Sequence, residues 1–259
     1  MLNRSYEMEP RNWAHISIDK SPGPDGYTSA FYRKHWEFVG EDLVRAVKEF
    51  FTIGRLLKSL NTTAISLIPK TTMNPTVSDF RPITYCNVVY KVITKIISKR
   101  LGLLLLKIIS PAQSAFISGR SIMDNIHLAE EIMRGYTIKR GSPRCTVMID
   151  LRKAYDTVDW SFLRDVLIGL NIHPSFVHLT MECVTSPSYT ITVNGSHHGY
   201  FRGKRGLRQG DPMSPSLFIF CICLVCFLFA LLGTFSSIVS VSTWALLTLL
   251  LQNCSAGET

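Results

Sequence analysis

Ile149-Asp150-Leu151-Arg152-Lys153-Ala154-Tyr155-Asp156-Thr157-Val158-Asp159 follows Thr146-Val147-Met148, a short apolar run with the character of a buried strand. A carboxylate thus stands at the carboxyl end of a strand, with basic residues and an aromatic just beyond it. Taken alone, such an Asp reads most simply as a turn-former or helix cap. Working outward, residues 161–170 carry helical periodicity. Tyr189-Thr190-Ile191-Thr192-Val193 alternates as a strand and runs into Asn194-Gly195, a strong hairpin signal. The strand–helix–hairpin order over residues 145–206 predicts an α+β fold, an antiparallel sheet with helices on one side. Directly after it comes Gly206-Leu207-Arg208-Gln209-Gly210-Asp211-Pro212-Met213-Ser214-Pro215.

Upstream, Ser21-Pro22-Gly23-Pro24-Asp25-Gly26 is too rich in proline and glycine for helix or strand and reads as a rigid turn. A helix is expected over residues 28–51, a strand over 62–69 ended by Pro69, and a polar loop over 71–78. Residues 87–109 place Val89, Val92, Ile93, Ile96, Ile97, Leu101 and Leu104 at helical intervals. Lys91, Lys95 and Lys99 recur every four residues on another face, a row for solvent or for a phosphate backbone. A further helix is expected over residues 121–138.

The chain has 259 residues, 46% of them apolar, enough for one large or two small cores. Its net charge of +9 is unevenly spread, because all 28 Lys and Arg lie at or before Arg208. A basic body suits a nucleic-acid partner, and on charge alone it equally suits a surface kept for solubility. Seven cysteines, an odd number, with no apolar leader at the amino terminus, point to reduced thiols in the nucleus or cytoplasm rather than to secretion. Cys221, Cys223 and Cys226 sit among Phe, Ile and Leu, and read as apolar filler rather than as a zinc site.

The segment around Asp150 and the Gln209-Gly210-Asp211-Pro212 segment together resemble the reverse transcriptase domain of LINE-type non-LTR retrotransposons, especially those of plants. Further matches lie upstream in the same order: Ser21 to Gly26, Leu67-Ile68-Pro69-Lys70, Asp79-Phe80-Arg81-Pro82-Ile83, and the run from Gln113 to Asn125. The resemblance covers roughly residues 19–220. It implies a right-hand polymerase, with fingers over residues 19–140 and a partial palm over 141–220. Residues 1–18 would then be an extension, and 221–259 an apolar tail foreign to the family.

The resemblance also implies roles. Asp150 would be the catalytic carboxylate and, with the backbone carbonyl of Leu151, a ligand for Mg2+. Lys70 and Arg81 would grip the triphosphate of a deoxynucleoside triphosphate, a point charge and a forked donor suited to phosphate oxygens. Tyr155 would pack under the incoming sugar, and Gln209 and Gly210 would line the nucleotide pocket. Arg120 and Arg208 are expected at the RNA template or DNA primer.

The family's second metal-binding strand, an aromatic-Ala-Asp-Asp hairpin, has no counterpart here. From Pro212 to Thr259 there is no Asp, and Glu258 is the only charged residue. The expectation is therefore a polymerase domain that stops before its metal site is complete, with the reading frame lost, or an intron read through, shortly after Phe220. Residues 217–232 are uncharged, short for a membrane span, and no membrane role is favoured. Three alternatives stand beside this reading: a non-catalytic nucleic-acid binder, a protein anchored by that apolar segment, and a translated pseudogene that never folds.

Overall fold

The computed structural model describes residues 21–231 apart from 72, 75, 110–112, 115, 118, 135–150 and 152. Asp150, Arg152, the expected strand before Asp150, the extension over 1–18 and the tail beyond Leu231 therefore lie outside the described residues. The chain divides into two compact units, residues 1–100 with 155–215, and residues 101–154 with 216–259.

The first unit is built on a four-stranded sheet of order β2-β1-β3-β4. Its strands are β1 (Thr62–Pro69), β2 (Phe80–Cys86), β3 (Ser188–Val193) and β4 (Ser196–Arg202). β1 is central: it runs antiparallel to β2, with Leu67 opposite Pro82, and parallel to β3, with Thr63 opposite Tyr189. The sheet is thus mixed, and the antiparallel expectation holds for two of its three pairings. Pro82 lies on an edge strand and Pro69 at a strand end, the places where a missing N–H costs no central ladder bond. β3 and β4 are joined by Asn194 and Gly195 at φ 51° and 80°, the two left-handed residues of a type I′ turn.

Seven α-helices among the described residues belong wholly or partly to this unit. The helix expected over 28–51 is two, α1 (Ser29–Lys34) and α2 (Trp36–Ile53). They part at His35, whose N–H closes α1 onto the Phe31 carbonyl. α3 (Val88–Ile108) begins here and buries Val92, Ile93 and Ile97. Lys91 departs from the expected solvent-facing row: it is 8% exposed, and its ammonium donates to the Ser21 carbonyl. The same helix start holds the Ser21–Gly26 turn through Asn87, whose Oδ1 accepts from the Asp25 N–H. A Cβ on Gly23 would sit 2.1 Å from that Oδ1, so only glycine fits there.

α5 (Ala154–Thr157) is a single turn, and α6 (Trp160–Gly169) is capped by the Asp159 carboxylate on the N–H groups of Ser161 and Phe162. α7 (Pro174–Thr185) is nearly all core, burying Phe176, Val177, Leu179, Met181, Cys183 and Val184. Each such side chain contributes on the order of 1.5–3 kcal/mol when fully buried.

The second unit holds the end of α3, with Leu101 and Leu105 buried, α4 (Ile122–Arg134) and most of α8 (Ser214–Leu231). Leu217, Phe218, Ile219 and Phe220 at the start of α8 are all buried. No helix among the described residues is long and apolar enough to cross a membrane.

Candidate nucleotide and nucleic-acid interface

The Gly206–Pro215 segment is anchored from below by a buried polar cluster. Arg208 is 6% exposed, and its guanidinium donates to Thr63 Oγ1 on β1 (2.9 Å), to the Cys183 carbonyl on α7 (2.8 Å) and to the Tyr90 hydroxyl on α3. Tyr90, fully buried, donates in turn to Asp211 Oδ2 at 2.5 Å, and Arg208 Nε lies 3.7 Å from the same oxygen. The other Asp211 oxygen accepts from the N–H of Met213, the residue before α8. Burial opposes the Arg208 charge, but the surrounding Tyr90, Cys86 and Asp211 groups raise its pKa, so the guanidinium stays a cation. Burial likewise pushes the Tyr90 hydroxyl and the Cys183 thiol well above their ordinary values, which keeps both neutral. The expectation that Arg208 meets template or primer fails on this geometry, because its donors are consumed inside the protein.

Between Arg208 and Asp211 the chain turns outward at Gln209 and Gly210. The Gln209 carbonyl accepts from Thr84 Oγ1 on β2. Gly210 has φ +93°, and a Cβ there would lie 3.4 Å from the Thr84 carbonyl. One step earlier, the Gly206 N–H donates to the Val158 carbonyl (2.7 Å) and the Leu207 N–H to the Tyr155 carbonyl (2.8 Å). Gly206 has φ +89°, and a Cβ would meet the backbone of Asp156 at 3.0 Å. Two glycines thus let this segment lie flat on its neighbours, which sets the Gln209–Gly210 turn beside β2 and Leu207 against Tyr155. Tyr155 is half-buried.

The two expected phosphate-gripping residues lie at the loop end of the β1–β2 hairpin. Lys70 follows Pro69, and its N–H donates to the Asp79 carbonyl (2.7 Å), while Arg81 lies opposite Ile68. Both are exposed. Strand alternation puts Arg81 on the face opposite Pro82 and Thr84, so it does not share the face that carries Gln209. In the second unit, Leu151 is 40% exposed. Arg120 donates to the carbonyls of Gln113 (2.5 Å) and Ile109 (3.2 Å), and Asn125 Nδ2 to Ser114 Oγ (2.8 Å). The Gln113–Asn125 segment therefore closes on itself, with Arg120 as its clasp.

These motifs, in this order and on this frame, match the family described as reverse transcriptase (RNA-dependent DNA polymerase) over residues 68–229, well over half of the chain. The chain belongs to the reverse transcriptase family. It is 31% identical to the transposon TX1 uncharacterized 149 kDa protein of Xenopus laevis over 221 residues, 85% of this chain and 16% of that protein. It is 27% identical to the retrovirus-related Pol polyprotein from type-2 retrotransposable element R2DM of Drosophila melanogaster, over 78% of this chain and 19% of that protein. The chain therefore spans less than a fifth of the length of either relative. The structure of apo telomerase from Candida Tropicalis, truncated from its C-terminal domain, aligns over 85% of this chain and 51% of that one, at 12% identity and a TM-score of 0.43. The domain is similar to those of non-LTR retrotransposons, and the family match runs to residue 229, past the point near residue 220 where the resemblance was expected to end.

A reverse transcriptase implies a divalent metal ion, and among the described residues Asp159 and Asp211 are not placed to hold one. Magnesium asks for several hard oxygen ligands in near-octahedral order. The Asp159 carboxylate is committed to the start of α6, and that of Asp211 to Tyr90, Arg208 and Met213. Among the described residues no group of three His, Cys, Asp or Glu is placed to hold a metal ion. Asp150, the expected ligand, lies outside the described residues, and residues 212–259 contribute no Asp.

Sequence reasoning missed Tyr90, Thr63 and Cys183, the partners that hold Arg208. Nothing in the sequence marks them, since each lies more than twenty residues from the motif it supports. It also passed over Arg202, Lys204 and Arg205, three cations in four residues directly before the glycine turn, a signal that was legible.

Proposed function

We propose that this reverse transcriptase domain belongs to a plant LINE-type retrotransposon and that the 259-residue chain binds primer, template and nucleotide without joining them. The carrying observation is the Gln209–Gly210 turn, fixed on Thr84 by the Arg208–Tyr90–Asp211 cluster within a segment that matches the family. In this reading Gln209, Gly210 and Tyr155 face the incoming deoxynucleoside triphosphate, with Lys70 and Arg81 on its phosphates. Asp150 and the Leu151 carbonyl are the first Mg2+ ligands, Arg120 stiffens its loop beside the template, and the protein works in the nucleus or cytoplasm. The α+β frame then corresponds to fingers and palm of a right-hand polymerase.

In-line phosphoryl transfer stabilised by two ions needs carboxylates from a second strand. The carboxylates of Asp159 and Asp211 are engaged elsewhere, and no Asp follows in residues 212–259. In this reading these 259 residues bind without synthesis. A labelled RNA template with a DNA primer tests the binding half. Affinity that falls steeply with salt and is indifferent to chelation of divalent ions supports the reading. A folded chain that does not bind the primer–template at low salt refutes it.

A further inference from the structure

We propose that β4 and the loop after it form a platform for single-stranded nucleic acid, built on the Phe201 ring and on Arg202, Lys204 and Arg205. The inference rests on the reading of the chain as a template and primer binder, and it names a surface that none of the family's motifs marks.

Four observations carry it. β4 is an edge strand, and every one of its residues is exposed. Phe201 stacks on Tyr189 with ring centroids 5.6 Å apart and planes 26° from parallel, yet 45% of it remains exposed, which leaves aromatic surface for a base. Immediately beyond it Arg202, Lys204 and Arg205 are all exposed. Finally, a groove of about 370 Å³ runs past these residues to Gln209, so a strand lying in it leads to the nucleotide turn.

Gly203 makes the arrangement possible. Its N–H donates to the Pro187 carbonyl, and a Cβ would lie 3.0 Å from the Tyr189 ring and 3.2 Å from that of Trp160. The backbone therefore passes close over two aromatic rings, and the cationic side chains on either side of Gly203 emerge at the groove. The acidic groups nearby are Asp156 in the groove wall and Asp159, whose carboxylate is engaged by Ser161 and Phe162. Two carboxylates against three cations leave the surface positive. Cations that track a phosphate backbone beside an aromatic that stacks bases are the shared chemistry of single-strand binders, and stacking tolerates any base.

Anisotropy of a labelled 15-nucleotide strand, alone and annealed to its complement, tests the proposal on the full chain. The parent should prefer the single strand. Phe201→Ile, which removes the ring but keeps a strand-forming side chain, should weaken single-strand binding about tenfold, and Phe201→Tyr should restore it. The triple variant Arg202→Gln/Lys204→Gln/Arg205→Gln, all surface positions, should lower the slope of log affinity against log salt by about 2. Affinities within twofold of the parent in both variants, with parental circular dichroism and intact primer–template binding, would overturn the platform and leave the broader reading standing. No binding of any nucleic acid by the folded parent would overturn both, whereas self-association through β4 that excludes the oligonucleotide would overturn the platform alone.

Discussion

Replacing Arg208 with methionine separates a structural role from a nucleic-acid contact. The guanidinium is buried among Thr63, Tyr90, Cys183 and Asp211, and its removal leaves the Asp211 carboxylate, itself 3% exposed, with no cation and only the Tyr90 hydroxyl and the Met213 N–H as donors. Methionine keeps much of the stem volume, so packing loss is small and the electrostatic loss dominates. Breaking a buried pair by removing one partner costs about 3–5 kcal/mol. At about 2–4 °C per kcal/mol for a domain of this size, the midpoint of thermal unfolding should fall by roughly 10 °C. Urea unfolding followed by tryptophan fluorescence provides the free energy, and Arg208→Met/Asp211→Asn should recover more than about 1 kcal/mol of it through coupling. A midpoint within a degree of the parent, together with a tenfold loss of primer–template affinity, would refute the argument and return Arg208 to the nucleic acid.

Two further outcomes follow from the same geometry. Gly206→Ala should destabilise by about 2 kcal/mol or more, since a left-handed alanine would press its Cβ onto the Asp156 backbone at 3.0 Å, whereas Gly195→Ala, with open space around it, should cost less. Denaturant midpoints of the two variants decide this. Hydrogen bonds from the Ser161 side chain, then from the Phe162 N–H, hold the Asp159 carboxyl below its ordinary value. A depressed carboxylate stabilises above its unfolded pKa and loses that contribution as pH falls through the folded value. The stability gap between parent and Asp159→Ala should therefore be full at pH 7 and shrink as the solution is acidified below pH 4, and a gap independent of pH would exclude the ionised cap.

The sequence revealed elements whose signals are local. β1, α3, α6 and the Asn194-Gly195 hairpin sit within a residue or two of where periodicity and turn chemistry put them. α7 and β2 escaped notice for physical reasons. α7 is buried nearly all round, so its apolar residues fall at 176, 177, 179, 181, 183 and 184 without a single stripe. β2 contains Pro82, which reads against a strand until its edge position is known. The parallel pairing of β1 with β3 joins segments more than a hundred residues apart, and no local pattern encodes it. At the site, the motif residues were legible, but the fates of Arg208 and Lys91 were not. A cation next to a motif looks the same in sequence whether it points at phosphate or is drawn inward by a tyrosine on another helix.

Primer extension on an RNA template with magnesium, comparing the chain with its Asp150→Ala variant, tests the central claim most directly. The account predicts that both bind the primer–template and that neither lengthens the primer. Extension by the parent that disappears in Asp150→Ala would contradict it, showing that the carboxylates of these 259 residues suffice for synthesis.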